Sequence, residues 1–258
     1  MKILAQAVKD NHIFGFKELF ESRRHQWIWW EESHAAAFDV FDEVQPDLFI
    51  GCGEISKAVK KCLNIYRHKT KAMYQTGPYT YQVGDNIWSY PLLVNTNVHQ
   101  PGHPNLKLLC EIGCCEAPHP HLLYLCGTGK FRIKIIGPTR WPVPQYVGTA
   151  QWQELIMLYQ SAKLVYANQV EEIGRAIACN TCVVTSNNEL PDFFTDLVYP
   201  ASDAFELYDT CHQLLTSRDG ERITHASLGH KRIVESELTY KKAFEDVCEA
   251  LKTQGIKV

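Results

Sequence analysis

The sequence has no marked excess of charge of either sign and no long apolar run. Its 258 residues carry a net charge of −3, the basic residues are scattered, and neither end is an acidic or basic tail. Phosphate backbones are bound by clustered Lys and Arg, so this pattern argues against a nucleic-acid partner. No apolar run approaches the roughly 20 residues that cross a bilayer, and no transmembrane segment is predicted.

The first residues also lack the features of a secretory signal. The apolar run in MKILAQAVKDNHIFGF is short, and Asp10 follows it directly. We therefore expect a cytoplasmic protein. The ten cysteines, several of them at apolar strand or helix positions, are then expected to be reduced thiols that pack as small hydrophobic side chains.

Motifs that would indicate a cofactor or a metal are missing or incomplete. No GxGxxG follows the first predicted strand, which argues against a dinucleotide enzyme. CGTGK (126–130) lacks the first glycine and the Ser/Thr of a phosphate-binding P-loop. CNTC (179–182) ends a predicted helix instead of beginning one, which argues against a redox dithiol. The Cys and His residues between Cys110 and Cys126 fit no standard pair of zinc ligands, so a zinc site is only a weak alternative.

The sequence does contain short apolar strands that alternate with helices of about 10 residues, a pattern that predicts βαβ units and parallel sheets. A segment rich in Pro, Gly, Asn and aromatic residues (77–105) interrupts the pattern, which then restarts. HQPGHPN (99–105) is the predicted linker. We predict an α/β fold with two doubly wound lobes facing each other across a cleft. The lobes are 1–105 and 106–258, and the last helix is a candidate to pack back on the first lobe.

Polar residues follow the predicted strands of the second lobe, where open α/β sheets bind ligands. LKLLCEIG (106–113) and QYVG (145–148) are also predicted as strands of this lobe, but the residues selected follow FRIKII, KLVY and TCVV. The groups after the strands include main-chain N–H groups, hydroxyls, amides, a guanidinium and carboxylates. Helix N-termini and an arginine suit phosphate, and Glu or Asn suits ribose or sugar hydroxyls. A nucleotide diphosphate is therefore the predicted ligand, with solvated loop residues as the alternative interpretation.

Two shorter features complete the pattern. The small residues 176–179 are expected to let a helix lie close on the sheet, and Asn180 follows at a position where a left-handed conformation is common. In the first lobe, Asp10 and His12 lie where the first strand ends. A histidine there is a candidate general base for a hydroxyl acceptor, with a solvated loop histidine as the alternative.

Several segments resemble the C-terminal lobe of GT-B glycosyltransferases, in particular the spore-maturation-protein-like branch of the group-1 transferases. They are FRIKIIGPTRW…QYVGTAQWQELIMLYQSAKLVYAN, ACNTCVVTSNNELPDFF and LTYKKAFEDV. The resemblance covers roughly residues 106–250, and the first lobe matches only by its α/β pattern. The matching positions are Gly137, Trp141, Tyr146, Gly148, Leu155, Leu158, Tyr159, Ser161, Ala162, Lys163, Ala178, Cys179, Leu190, Phe194, Thr239 and Tyr240.

Two positions depart from the family pattern. Arg175 stands where the family has a glutamate that contacts the ribose of the donor, and Asn180 stands where it has a glycine. Glu171, Glu172 or Glu189 is a possible substitute for that glutamate, and Arg175 is instead a candidate phosphate contact.

The resemblance implies a GT-B fold of two Rossmann-like lobes and transfer of a sugar from a nucleotide diphosphate sugar to a glycan or other hydroxyl acceptor. No cofactor is implied, and the lack of an Asp-x-Asp motif suits metal-independent transfer. His12 is the candidate catalytic residue, with Asp10 as the alternative. The implied donor-binding residues are Gly137, Arg140, Asn168, Glu171, Glu172, Arg175, Ser186 and Asn187.

Three other functions remain open. A catalytically inactive nucleotide-sugar-binding or scaffolding relative is favoured by Arg175 in place of the family glutamate. A different two-lobed α/β enzyme, such as an epimerase, would share the fold pattern. A nucleic-acid-modifying transferase is disfavoured by the lack of a basic stripe.

Overall fold

The structure is a computed structural model that describes residues 1–6, 14–31, 36–149 and 151–256. The chain forms two compact units. The first unit is Met1–Leu93 together with Glu237–Val258, and the second unit is Val94–Ser236. Each unit contains its own sheet with parallel strands and flanking helices. The predicted α/β fold with two Rossmann-like domains is confirmed.

The first unit has a six-stranded sheet of order β2-β1-β3-β4-β5-β6. Strands β1 to β4 are parallel, and β3 at the centre is buried along its whole length, as expected for a strand covered on both faces. Its elements up to the end of the sheet are β1 (Lys2–Gln6), α1 (Phe14–Ser22), β2 (Gln26–Trp30), α2 (Ala37–Val44), β3 (Leu48–Cys52), α3 (Lys57–Ile65), β4 (Lys71–Gly77), β5 (Thr80–Val83) and β6 (Asn86–Ser89).

Strands β5 and β6 form an antiparallel hairpin that the sequence analysis did not predict. Each strand has only four residues, and the turn between them uses Gly84 at a φ of 59°. Tyr81 and Val83 of β5 are buried, and Thr80 and Gln82, which alternate with them, are half-buried. Four residues give too short an alternation to stand out in a segment rich in Pro, Gly and Asn.

The second unit has a five-stranded, all-parallel sheet of order β11-β10-β9-β7-β8. Its core includes Ile112, Leu164, Tyr166 and Val184. The unit begins with a 3₁₀ helix (Pro104–Leu108). Its further elements are β7 (Cys110–Cys114), α4 (Pro120–Thr128), β8 (Ile133–Ile135), α5 (Trp152–Ser161), β9 (Ala162–Tyr166), α6 (Val170–Ala178), β10 (Cys182–Thr185), α7 (Asp192–Thr195), β11 (Val198–Pro200), α8 (Ala204–Leu215) and α9 (Asp219–Val234).

Two predicted strands of this unit are wrong in part. The first half of LKLLCEIG is the 3₁₀ helix, begun by Pro104, whose fixed φ suits the first position of a helix. QYVG is reduced to a single bridge between Tyr146 and Ile135. The predicted linker, residues 99–105, lies along α5, where Gln160 Nε2 donates to the carbonyl of Gln100 at 2.9 Å. The units accordingly divide after Leu93, whereas the sequence analysis placed the boundary after residue 105.

The last helix, α10 (Tyr240–Thr253), belongs to the first unit. Phe244 packs edge-on against Phe20 with the ring centroids 4.7 Å apart. A Cβ atom at Gly15 would lie 2.5 Å from the ring of Tyr240, so the approach of α1 to α10 requires glycine at this position.

The small-residue end of α6 is packed as the sequence predicts. Ala176, Ile177 and Ala178 are buried, and Asn180 adopts the left-handed conformation with a φ of 57°. All ten cysteines are buried thiols. No helix within the described segments is both long enough and apolar enough to span a bilayer.

Candidate functional site

The strand order of the second unit identifies one edge of its sheet as the ligand-binding edge. The chain enters the sheet at β7, places β8 on one side, and then continues with β9, β10 and β11 on the other. The direction in which the sheet grows therefore reverses between β7 and β9. Open α/β sheets bind ligands at the carboxyl ends of the strands beside such a reversal, because the loops there diverge and leave a crevice.

A cavity of about 580 Å³ lies at this point. Its volume is in the range of small-molecule sites. The cavity contains two of the predicted residues, Gly137 and Glu172. A Cβ atom at Gly137 would lie 2.9 Å from the carbonyl oxygen of Cys115, so glycine lets the loop after β8 approach the loop after β7. The lining residues are Cys115, Glu116, Ala117, Gly137, Pro138, Thr139, Thr149, Leu155, Gln169 and Glu172.

Glu116 joins the loop after β7 to the start of α6. Its Oε1 accepts hydrogen bonds from the main-chain N–H groups of Asn168 at 2.6 Å and Gln169 at 2.7 Å. Burial raises the pKa of the Glu116 carboxyl above its ordinary value, against the opposing effect of these two donors. The carboxylate thus satisfies N–H groups that a phosphate at the start of α6 would otherwise take.

Glu172 lies in the first turn of α6 and is surrounded by donors. Its Oε1 is 2.5 Å from Arg175 Nη1, and its Oε2 accepts from the hydroxyl of Tyr159 and from the thiol of Cys115 at 3.2 Å. Burial and the Glu172 carboxylate both raise the pKa of Cys115, so this thiol is not a nucleophile at neutral pH. Arg175, predicted as a phosphate contact, forms an ion pair with Glu172 on its own helix.

Asn168 ties the end of β9 to the end of β10. Its Oδ1 accepts from Ser186 N at 2.8 Å and from Thr185 Oγ1 at 3.2 Å, and its Nδ2 donates to the hydroxyl of Tyr166 at 3.1 Å. Its carbonyl accepts from Asn187 Nδ2 at 2.7 Å. Three predicted ligand-binding residues, Asn168, Ser186 and Asn187, are therefore brought together, and they bind one another.

Two histidines extend this network along the same edge. His119 Nδ1 lies 2.7 Å from the hydroxyl of Tyr166, and His121 Nδ1 lies 2.9 Å from Ser186 Oγ. The two imidazole rings meet edge-on with centroids 4.6 Å apart. The sequence analysis grouped them with nearby cysteines as a weak zinc candidate. Across the described segments, no three His, Cys, Asp or Glu side chains are arranged to hold a metal ion.

The remaining predicted residues stand apart from this network. Arg140 is exposed on the loop after β8, and Glu171 is half-buried in the first turn of α6. Asp10 and His12, the candidate catalytic residues, lie outside the described residues.

Sequence reasoning missed Glu116, Tyr159 and Tyr166. Glu116 is the second residue after β7, so the strand-end rule that selected residues after β8, β9 and β10 would have found it. Tyr159 was noted only as a matching position and Tyr166 only as part of a predicted strand, and the rings of both are buried. A buried tyrosine hydroxyl needs a polar partner, and that requirement is the signal that could have found these two residues.

Comparison with known proteins gives matches of structure only. No protein-family model and no curated protein sequence matches the chain. An α-glucosyltransferase solved with UDP and a 13-mer DNA aligns over 96% of this chain and 99% of its own, at 10% identity and a TM-score of 0.63. A UDP-GlcNAc 2-epimerase from Neisseria meningitidis bound to UDP-GlcNAc aligns over 98% and 100%, at 10% identity and a TM-score of 0.59. The avilamycin A glycosyltransferase AviGT4 aligns over 97% of each chain, at 10% identity and a TM-score of 0.54.

These proteins share two Rossmann-like domains with the present chain. The chain has the GT-B fold. At 10% identity the likeness concerns the fold alone, and it includes transferases and epimerases alike. The resemblance to the spore-maturation-protein-like branch stays a prediction.

Proposed function

We propose that the chain binds a nucleotide diphosphate sugar in the 580 Å³ cavity of the second unit and transfers the sugar to a hydroxyl acceptor. The cavity at the β7–β9 reversal is the observation that carries the proposal. Support also comes from the shared fold, since one matching transferase structure contains UDP and one matching epimerase structure contains UDP-GlcNAc.

The chemistry of the cavity wall suits the hydroxyl-rich parts of such a donor. Glu116 and Glu172 supply carboxylate oxygens, Thr139 a hydroxyl and Gln169 an amide. Ribose and sugar hydroxyls donate to groups of this kind, and a carboxylate has room for about four hydrogen bonds, so Glu172 keeps capacity beyond its three present partners. The roles we propose are hydroxyl binding for Glu172 and close approach of the main chain for Gly137.

The proposed transfer breaks the bond between the sugar C1 and the diphosphate oxygen, and the diphosphate leaves with the electron pair. The acceptor oxygen forms the new bond to C1, and its proton passes to a base. His12 is the proposed base, with Asp10 as the alternative. Without a metal or cofactor, the developing charge on the diphosphate is stabilised by Arg140.

An epimerase is the second candidate, because structures of UDP-GlcNAc 2-epimerases from Listeria monocytogenes and Neisseria meningitidis match over 98% of the chain. An epimerase changes the configuration of one sugar carbon and needs no acceptor. The products therefore separate the two functions, whereas the fold does not.

The first experiment is a thermal-shift titration with UDP, GDP, ADP and CMP and with their sugars. A ligand that binds the native state raises the melting temperature by mass action. We expect one nucleotide diphosphate and its sugar to do so in buffer containing EDTA. If no compound of the panel moves the transition, the proposal is wrong.

The matched variants are Gln169→Trp and Gln153→Trp. Gln169 is exposed and lines the cavity, and Gln153 is also exposed and lies on α5 away from the lining. Tryptophan at residue 169 should fill part of the cavity and abolish the thermal shift, and tryptophan at residue 153 should leave it unchanged. Equal shifts in both variants would place the ligand elsewhere.

NMR of the reaction mixture then assigns the activity. A glycoside together with nucleoside diphosphate identifies a transferase, and an epimeric nucleotide sugar without an acceptor identifies an epimerase. Binding without turnover over a broad acceptor panel supports the inactive scaffold. The acceptor panel contains a DNA duplex, because one matching transferase was solved with DNA; we propose a glycan or other hydroxyl acceptor and no nucleic acid.

A further inference from the structure

The hydrogen bonds around His119 fix which of its ring nitrogens carries the proton. His119 is the residue before α4, and its Nδ1 accepts from the main-chain N–H of His121 at 3.3 Å. A main-chain N–H only donates, so Nδ1 must present a lone pair. The Tyr166 hydroxyl, 2.7 Å from the same nitrogen, must then donate to it.

The direction of the neighbouring bonds agrees with this assignment. Ser186 N also only donates, which makes the Asn168 Oδ1 an acceptor and leaves Asn168 Nδ2 as the donor to the Tyr166 oxygen. Tyr166 therefore accepts from Asn168 and has one proton left to give. Its two possible acceptors are His119 Nδ1 at 2.7 Å and Ser186 Oγ at 3.1 Å. The bond to His119 is the shorter one, and Nδ1 carries no proton of its own, so the Tyr166 proton goes to His119.

His119 is thereby held neutral with its proton on Nε2. Protonation at Nδ1 would break both bonds to that nitrogen, and burial together with His121 lowers the pKa of His119. Within the described part of the chain, Nε2 has no hydrogen-bond partner. A donor fixed by four preceding hydrogen bonds at the ligand-binding edge is a preorganised binding group.

Such a donor suits an anion at this edge, because the donors at the start of α6 are already used. The N–H groups of Asn168 and Gln169 bind the Glu116 carboxylate, and Arg175 pairs with Glu172. Glu116 also adds negative charge beside the start of α6. His119 follows Ala117, a residue of the cavity wall, by two positions in the same loop after β7, so its imidazole belongs to the same edge of the sheet as the cavity.

We propose that His119 donates a hydrogen bond from Nε2 to a diphosphate oxygen of the nucleotide sugar, and that Tyr166 is the positioning residue that fixes this proton. The proposal rests on the function proposed above, and its experiments are arranged so that the two fail separately.

The first experiment needs no ligand. Long-range ¹H–¹⁵N correlation spectra of the imidazoles distinguish the two neutral tautomers. We expect His119 to be in the Nε2–H form at pH 7, and we expect Tyr166→Phe to introduce the Nδ1–H form. A wild-type His119 with its proton on Nδ1 would overturn the proposal, whatever the chain binds.

The second experiment measures the dissociation constants of UDP and uridine for His119→Asn and His119→Gln. The Asn variant keeps an acceptor for the N–H of His121 and loses the Nε2 donor, and the Gln variant keeps a donor near Nε2. His103 is a matched control, because its Nδ1 accepts from Asn105 N at the start of the 3₁₀ helix in the same way.

We expect His119→Asn to weaken the binding of UDP about tenfold or more, since a hydrogen bond to a charged oxygen is lost. The binding of uridine, which has no phosphate, should be unaffected. His119→Gln should retain most of the affinity, and His103→Asn should retain all of it. If wild type binds UDP and His119→Asn binds it equally well, the inference falls and the proposed function stands. If wild type binds no nucleotide diphosphate, both fall.

Discussion

The two sheets follow the same topological rule, yet their carboxyl edges differ in chemistry. In the second unit the loops after β7, β9 and β10 bring carboxylates, imidazoles, amides and hydroxyls into one hydrogen-bonded network. In the described residues of the first unit, the corresponding edge has Gln6, whose Oε1 accepts from the N–H of Cys52 at 3.4 Å, and Gly53, whose N–H pairs with the Gln75 carbonyl. The comparison teaches that the strand order selects the place of a site and that loop residues supply its chemistry.

The largest difference in stability between the two units is expected when a carboxylate that accepts main-chain hydrogen bonds is removed from each. Glu116→Ala removes two hydrogen bonds between a carboxylate and partly buried N–H groups, and we expect a loss of about 4 kcal/mol in the free energy of unfolding. Asp47→Ala is the matched change in the first unit, where Oδ2 accepts from Lys2 N at an exposed position. It should cost under about 1 kcal/mol. Urea denaturation measures both, and equal losses would remove the energetic contrast between the units.

The next largest effect is a pH dependence of the free energy of unfolding, which comes from His99 in the second unit. His99 is 2% exposed, and burial lowers its pKa to about 4 from 6.5. Between these values the unfolded chain binds more protons than the native one, so stability is lost as the pH falls from about 6.5 to 4. The contribution of this single group is about 3 kcal/mol.

His99→Gln should flatten this part of the stability profile. His68→Gln, at an exposed position of the first unit, should leave the profile unchanged. Urea midpoints measured at several pH values test this. A His99→Gln profile that still falls as steeply as that of the wild type would refute the assignment.

A smaller effect is expected where glycine permits close packing. Gly15→Ala in the first unit meets the ring of Tyr240, and Gly137→Ala in the second meets the Cys115 carbonyl. Each substitution should lower the free energy of unfolding by about 2 kcal/mol, because the backbone or the ring must shift. Only Gly137→Ala should also weaken UDP binding, since it separates the two loops of the cavity. Gly127→Ala on α4, where the space is open, should stabilise the protein slightly.

The sequence predicted the elements of the second unit well because their apolar runs and helix periods are local. Gly137 and Glu172, which line the cavity, could also be predicted from a local pattern, because both follow predicted strands. The strand-end rule could have selected Glu116, but its function depends on N–H groups 52 and 53 residues away. The roles of Tyr159 and Tyr166 likewise depend on partners in other elements. Long-range hydrogen bonds leave no local pattern, so the structure was needed to find them.

Hydrogen–deuterium exchange with and without UDP tests the central claim most directly. If the donor occupies the cavity of the second unit, UDP should slow exchange at residues 115–119, 137–141 and 168–172. Gln169→Trp should abolish this protection, and Gln153→Trp should not. Saturating UDP that leaves these three segments unchanged, or that protects only segments of the first unit, would contradict the account.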